Sequence, residues 1–209
     1  MKLLIIGATK GIGFKLVEQA VNAGHNITVL VRSVELLGEL SSKIKIVKGS
    51  ITSKESVEDA VKGQEAVCVS TGYPPGFKKV TAFSEGIKNV IESMNKNAVA
   101  KLICVTGIGA GDSRNHGGFA YDKIFKPLFL GRIYDDKDRQ ELLIKGTNLK
   151  WVIVRPGFLT DGPLTGSYKA VTDLTGIKAG KISRNDVAHF MLTELHEEKY
   201  LHETPLLTY

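Results

Sequence analysis

The stretch "LLIIGATKGIG", residues 3 to 13, sets Gly7, Gly11 and Gly13 between an apolar run and an amphipathic one. Glycines at such a junction permit a tight turn and a close approach of ligand to backbone. The amides and dipole of the following helix then face an anion, which is the chemistry of a phosphate site. Ala8, Thr9, Lys10 and Ile12 complete the turn, and Lys10 adds a cation on the ligand's side. A branched side chain at Gly11 is expected to fill both the space of a pyrophosphate and a close helix–strand approach. A second cation, Arg32, ends the run "ITVLVR" where a reader of a free ribose 2′-hydroxyl would be Asp or Glu. Lys10 and Arg32 together suit a 2′-phosphate, so NADP(H) is expected in preference to NAD(H). The plainer alternative is two solvated surface charges.

A turn with this task needs a strand before it and a helix after it. The runs "KLLII" (2 to 6), "ITVLV" (27 to 31), "IKIVK" (44 to 48), "EAVCVS" (65 to 70), "KLICVT" (101 to 106) and "KWVIVR" (150 to 155) are nearly continuously apolar, as strands buried on both faces are. Helical patterns fall between them. Ile12, Leu16 and Ala20 share one face before Gly24, Thr52 and Glu55 spell a capping box for a helix reaching Val61, and Val80, Phe83, Ile87, Val90, Ile91 and Met94 recur at helical spacing through 78 to 97. This alternation predicts an α/β, doubly wound Rossmann fold: one domain over 1–209, with a mainly parallel sheet and helices on both faces. The substrate side is expected to be built from about 107–135 and 156–182, including a glycine-rich loop from Gly107 to Gly118.

The G-x-x-x-G-x-G spacing in "GATKGIG" resembles the short-chain dehydrogenase/reductase superfamily. "VLVRS", "VKGSITSKESVEDAVKGQEAVCVSTG", "WVIVRPGFLTDGP" and "ISRNDVAHFML" are similar to its small atypical reductases, grouped with biliverdin reductase B/flavin reductase and with nitrogen-metabolite-repression regulators. The resemblance implies an NAD(P)H-binding protein in which the loop carrying Ser70, Thr71, Gly72 and Tyr73 passes beside the cofactor and Pro156 and Gly157 flank the nicotinamide. Ser50 stands where the group often carries an adenine-reading acid.

Typical superfamily members use Ser, Tyr and Lys, with Tyr-x-x-x-Lys on one helical face, and this chain contains no Tyr-x-x-x-Lys. When "KDRQE" (137 to 141) is laid on the usual helix, Lys137 takes the lysine position and Ile133 the tyrosine position. Tyr134 is then one residue on, roughly 100° round the helix. The serine position falls near Gly107, with Thr106 beside it. Lys137, Tyr134 and Thr106 are therefore the candidate catalytic residues, and the ordinary alternative for Lys137 is a surface lysine. Flavins, quinones and tetrapyrroles accept hydride into a conjugated system and can take a proton from a weak acid or solvent, so a reductase of such a small planar acceptor tolerates an incomplete relay. Phe119, Tyr121, Phe125, Phe129 and Tyr134 form a candidate wall for it, unless they are simply core.

Composition bounds the remaining choices. The 28 basic and 22 acidic residues give a net charge of +6, and the lysines are scattered, which disfavours nucleic acid. No leader pattern and no apolar run near the ~20 residues of a membrane span are visible, so the expectation is a cytoplasmic monomer or homodimer away from membranes. Cys68 and Cys104 lie inside strand-like runs and read as buried thiols, and no histidines are spaced as metal ligands. His116, in "GAGDSRNHGG", is the one histidine that is a candidate proton donor, the commoner alternative being a loop histidine without a role, and Ser183 with Asp186 reads as a capping pair. Two classes remain: an NADPH-dependent reductase, or a non-catalytic NADP(H) sensor acting through a protein partner.

Overall fold

The computed structural model describes residues 1–74, 76, 79–119, 122 and 130–209. Its six longer strands fall on the six apolar runs: β1 (Lys2–Ile6), β2 (Asn26–Val31), β3 (Lys45–Lys48), β4 (Ala66–Val69), β5 (Lys101–Val105) and β6 (Lys150–Pro156). Four strands of three residues follow, β7 (Phe158–Thr160), β8 (Lys169–Val171), β9 (Lys181–Ser183) and β10 (Leu206–Thr208). The main sheet has the order β3-β2-β1-β4-β5-β6-β10-β8, and β7 pairs with β9 in a separate ribbon. All pairings are parallel except that of β8 with β10.

Alternation along β1 builds two cores. Leu3 and Ile5 face α1 (Gly11–Asn22) and α5 (Arg184–Glu197), meeting Leu16, Ala20, Val187 and Met191. Leu4 and Ile6 face α2 (Lys54–Val61), α3 (Ala82–Lys96) and α4 (Gly131–Lys145), meeting Val57, Ile87, Val90 and Ile144. All four β1 side chains are 0–2% exposed, and burying each is worth ~1.5–3 kcal/mol. Sheet and helices on both faces thus follow from the continuous apolar runs. The cap of α2 departs from expectation by one residue: Ser53, not Thr52, is the N-cap and accepts from Ser56 N, while Thr52 Oγ1 pairs with Ser50 Oγ at 2.9 Å. The N-terminus of α3 has no cap from its own Thr81; instead the buried Asp136 of α4 accepts from Phe83 N at 2.9 Å and from Ser84 N at 3.3 Å.

The strand order runs outward from β1 to β3 and restarts at β4 on the other side of β1. A crevice therefore opens beyond the carboxyl ends of β1 and β4, where loops diverge in opposite directions.

Candidate functional site

A cleft of about 1250 Å³ occupies that crevice. This exceeds the ~300–1,000 Å³ of ordinary small-ligand pockets and leaves room for an extended ligand. Its centre is the glycine turn. Gly7 has φ +90°, and a Cβ there would stand 2.2 Å from Ser70 O, so the end of β1 lies against the loop after β4. Gly13 is as tightly placed: its Cβ would stand 2.2 Å from Gly7 O. Gly11, at φ +61°, differs, since only the Arg184 side chain comes within 4 Å of its Cβ position. The close approach expected at Gly11 thus belongs to Gly13 and Gly7, because Gly11 faces open cleft. Gly13 itself is buried under the turn and does not line the cleft.

The first turn of α1 contains no acidic residue, and its N-cap, Lys10, makes no side-chain cap. An uncapped N-terminus with positive polarity, opening on a large cleft beside glycines, fits a diphosphate. Thr9, Lys10, Ile12, Ser70, Thr71 and Gly72 line the same stretch. At one end, Arg32 and Ser50 line the cleft, and Arg32 is exposed with no hydrogen-bond or ion-pair partner assigned among the described residues. At the other end stand Thr106, Gly107, Tyr134, Lys137, Pro156 and Gly157. Residues of seven separate stretches of the sequence are thereby brought together.

Lys137 brings a buried cation to that second end. It is 8% exposed, donates from Nζ to Thr106 O, and lies 5.0 Å from the centroid of the Phe83 ring. Burial brings its pKa down to about 8, against the partly offsetting pull of Cys104 and Glu141. It is not the surface lysine that was the ordinary alternative. The Thr106 hydroxyl donates to Glu141 Oε1 at 2.7 Å. Glu141 is gripped by the fully buried Arg155, through Nε at 3.0 Å and Nη2 at 2.6 Å, and Arg155 also binds Asp112. A chain of polar contacts thus supports the floor beneath Lys137.

Tyr134 is half-buried and lines the cleft, while Ile133, at the expected tyrosine position, is 6% exposed and packs with Val80 and Phe83. A Cβ on Gly107 would lie 3.2 Å from the Tyr134 hydroxyl. The tyrosine oxygen therefore reaches the position where the superfamily pattern would put its serine, three residues before Lys137 rather than four. On a helix that spacing keeps both side chains within about 60° of one face.

Other expectations resolve differently. His116 does not line the cleft; its Nδ1 donates to Ile177 O at 2.8 Å and its carbonyl accepts from Ala179 N, so it ties loops together. Of the loop from Gly107 to Gly118, Gly107 and Ile108 reach the cleft, whereas Gly111 packs against Arg155. Ser183 caps α5 by accepting from Asp186 N at 2.9 Å, but Asp186's carboxylate serves Thr165, Gly166 and Tyr209 instead of returning to the cap. Phe119 is 79% exposed, and Tyr121, Phe125 and Phe129 lie outside the described residues. The apolar rim that is described comes from Tyr73, Phe158 and Leu159, which sequence reasoning did not single out as a wall. Cys68 and Cys104 are buried thiols, the second with its pKa pushed up to about 12 by burial. Among the described residues, no group of His, Cys, Asp or Glu could hold a metal ion, and no helix is long and apolar enough to cross a membrane.

Fold and cleft together define a nucleotide-binding α/β protein. The family model described as NAD(P)H-binding matches residues 7–198, and the chain belongs to that family. Among its relatives, "Uncharacterized sugar epimerase YhfK" of Bacillus subtilis (strain 168) is 30% identical over 95% of this chain and 89% of that one. Among solved structures, ChuY, an anaerobilin reductase from Escherichia coli O157:H7, has a TM-score of 0.84 at 21% identity, covering 100% of this chain and 97% of the other. A short-chain dehydrogenase/reductase from Veillonella parvula in complex with NADP has a TM-score of 0.83 at 16% identity, covering 100% and 94%. At those identities the structural likeness is one of fold.

Proposed function

We propose that the protein is a cytoplasmic NADPH-dependent oxidoreductase that reduces a small planar, conjugated acceptor such as a flavin, quinone or tetrapyrrole. The carrying observation is the junction, in one cleft, of an uncapped glycine turn with a buried Lys137 and a Tyr134 hydroxyl beside an apolar rim. A bound reduced nicotinamide would supply the hydride. Gly11 and the first-turn amides of α1 hold the diphosphate, Lys10 and Arg32 meet the 2′-phosphate, and Pro156 and Gly157 flank the nicotinamide. Gly157 is fixed in place by the hydrogen bond its N–H donates to Leu207 O at 2.9 Å and by Gly180 O, which would lie 2.4 Å from any Cβ. Lys137, carrying its proton below about pH 8, orients the ribose side of the site. Tyr134 presents its hydroxyl for the proton that accompanies the hydride, solvent being the alternative donor. Tyr73, Phe158 and Leu159 offer the apolar surface a flat acceptor needs.

The test is loss of NADPH absorbance with purified protein across a panel of flavins, quinones and tetrapyrroles. At least one acceptor should be reduced, and secondary alcohols should give no reaction with NADP⁺. Tyr134→Phe should lower turnover by less than ~10²-fold, because a conjugated acceptor does not depend on a strong acid. Gly107 and Ile133 at the usual serine and tyrosine positions favour a second reading, a non-catalytic NADP(H) sensor. That reading gains if NADPH binds tightly, every acceptor is inert and association with a protein partner changes with cofactor oxidation. Epimerisation of a sugar, the activity in YhfK's name, would replace both.

A further inference from the structure

Arg184 opens α5, directly after the capping Ser183, and lines the cleft beside the glycine turn, α5 packing against α1 on the same face of the sheet. Its Nε and Cδ lie 3.8 and 3.9 Å from the Cβ position of Gly11, the first residue of α1. A guanidinium stem thus covers the end of a helix whose dipole is positive there, whose N-cap is Lys10, and whose first turn offers no acid. Like polarities set side by side repel, unless an anion joins them. The partner Arg184 does have is Asp161, whose carboxylate accepts from Nη1 at 2.7 Å and whose side chain is 91% exposed. The Arg184 side chain is 28% exposed, so the pair is open to solvent on its carboxylate side, where such contacts are weak and readily exchanged. Both residues line the cleft.

We propose that Arg184 is a diphosphate-binding residue, reaching the cofactor from the start of α5 beside the glycine turn, and that Asp161 is the surrogate anion that holds the guanidinium until the cofactor binds. On binding, the diphosphate takes the place of the carboxylate and Asp161 is released to solvent. The diphosphate is then held by the first-turn amides of α1 together with a cation from the neighbouring start of α5. This rests on the assignment of the glycine turn to the diphosphate, and it concerns the half of the cofactor shared by NADPH and NADH.

Dissociation constants for NADPH, NADH and ADP-ribose, measured by calorimetry on the full chain, decide the matter. Arg184→Gln should weaken all three by a similar factor, on the order of tenfold, as loss of a charge-assisted hydrogen bond does. 2′-AMP, which has no diphosphate, should bind within about twofold of wild type. Asp161→Asn, a change at an exposed position, should tighten the dinucleotides a few-fold by removing the competitor, and this gain should vanish in the Arg184→Gln background. Unaltered dinucleotide binding by Arg184→Gln, or a loss confined to NADPH, overturns the inference, the latter by assigning Arg184 to the 2′-phosphate. An Asp161→Asn gain that persists without Arg184 also overturns it. If wild-type protein binds neither dinucleotide, the cofactor assignment itself fails, a result distinct from wild-type binding with an indifferent Arg184.

Discussion

Replacing Gly13 by alanine, with Gly11→Ala as its counterpart, separates packing from ligand access in the glycine turn. A Cβ on Gly13 would stand 2.2 Å from Gly7 O and 2.8 Å from Gly7 C, inside ordinary van der Waals separation by about 1 Å. Both neighbours are backbone atoms, so no rotamer change relieves the contact; either α1 shifts away from β1 or the turn deforms. Overpacking of this kind costs ~1–3 kcal/mol, and for a chain of this size each kcal/mol lowers Tm by about 2–4 °C. Gly13→Ala should therefore lose several degrees, towards the upper end of roughly 2–12 °C. At Gly11 the added methyl makes only ordinary contact with the Arg184 side chain, at 3.8–3.9 Å, and the cost is that of a left-handed φ, about 1 kcal/mol. Both variants should lose NADPH affinity, Gly13→Ala by displacing the first-turn amides and Gly11→Ala by placing a methyl in front of them. Thermal unfolding with and without NADPH, together with a binding titration, reads both effects. Wild-type Tm and affinity in Gly13→Ala, or a larger destabilisation from Gly11→Ala, would refute the reasoning.

Arg32→Asp should weaken NADPH at least about tenfold while sparing or improving NADH; equal titration curves for the two cofactors in wild type and variant contradict the 2′-phosphate assignment. The kcat/KM for reduction should fall as pH rises through about 8, where buried Lys137 gives up its proton, and Lys137→Arg, which stays charged, should remove that limb; a flat wild-type profile argues against a role for the ammonium. Because burial lowers this pKa, folding carries a penalty at neutral pH that is relieved as pH rises from about 8 into the ordinary lysine range. Lys137→Met should accordingly be more stable than wild type at pH 7 in urea denaturation, even as cofactor affinity falls. Glu141→Gln leaves Arg155 charged and buried, and should cost on the order of 3–5 kcal/mol in the same assay; a loss below about 1 kcal/mol would show that the pair is not what holds the floor of the site.

The central sheet was legible because β1, β4, β5 and β6 are buried on both faces and spell that burial as unbroken apolar runs. Strands β7 to β10 were not, since three residues carry no period. Adjacent Thr52 and Ser53 are equally good caps by type, and the backbone decided for Ser53. The register of α4 misled in a more instructive way. Motif spacing singled out Ile133, but its side chain belongs to an apolar cluster with Val80 and Phe83, and that packing turns Tyr134 into the cleft. Glu141 and Arg155 are 14 residues apart on different elements, so only the assembled sheet and helix bring them together. Arg184 sat in plain view inside "ISRND", overshadowed by the capping residues on either side. Its signal was a cation at the start of a helix, where the dipole makes it costly without an anion nearby.

The most direct test of the cofactor cleft is a crystal structure of the protein with NADPH. The diphosphate should lie against the amides at the start of α1, the 2′-phosphate beside Arg32 and Lys10, and the nicotinamide between Gly157 and the Tyr134–Lys137 face of α4. Density for the dinucleotide in any other place, or a nicotinamide ring turned away from Tyr134 and Lys137, would contradict the assignment of this cleft to hydride transfer.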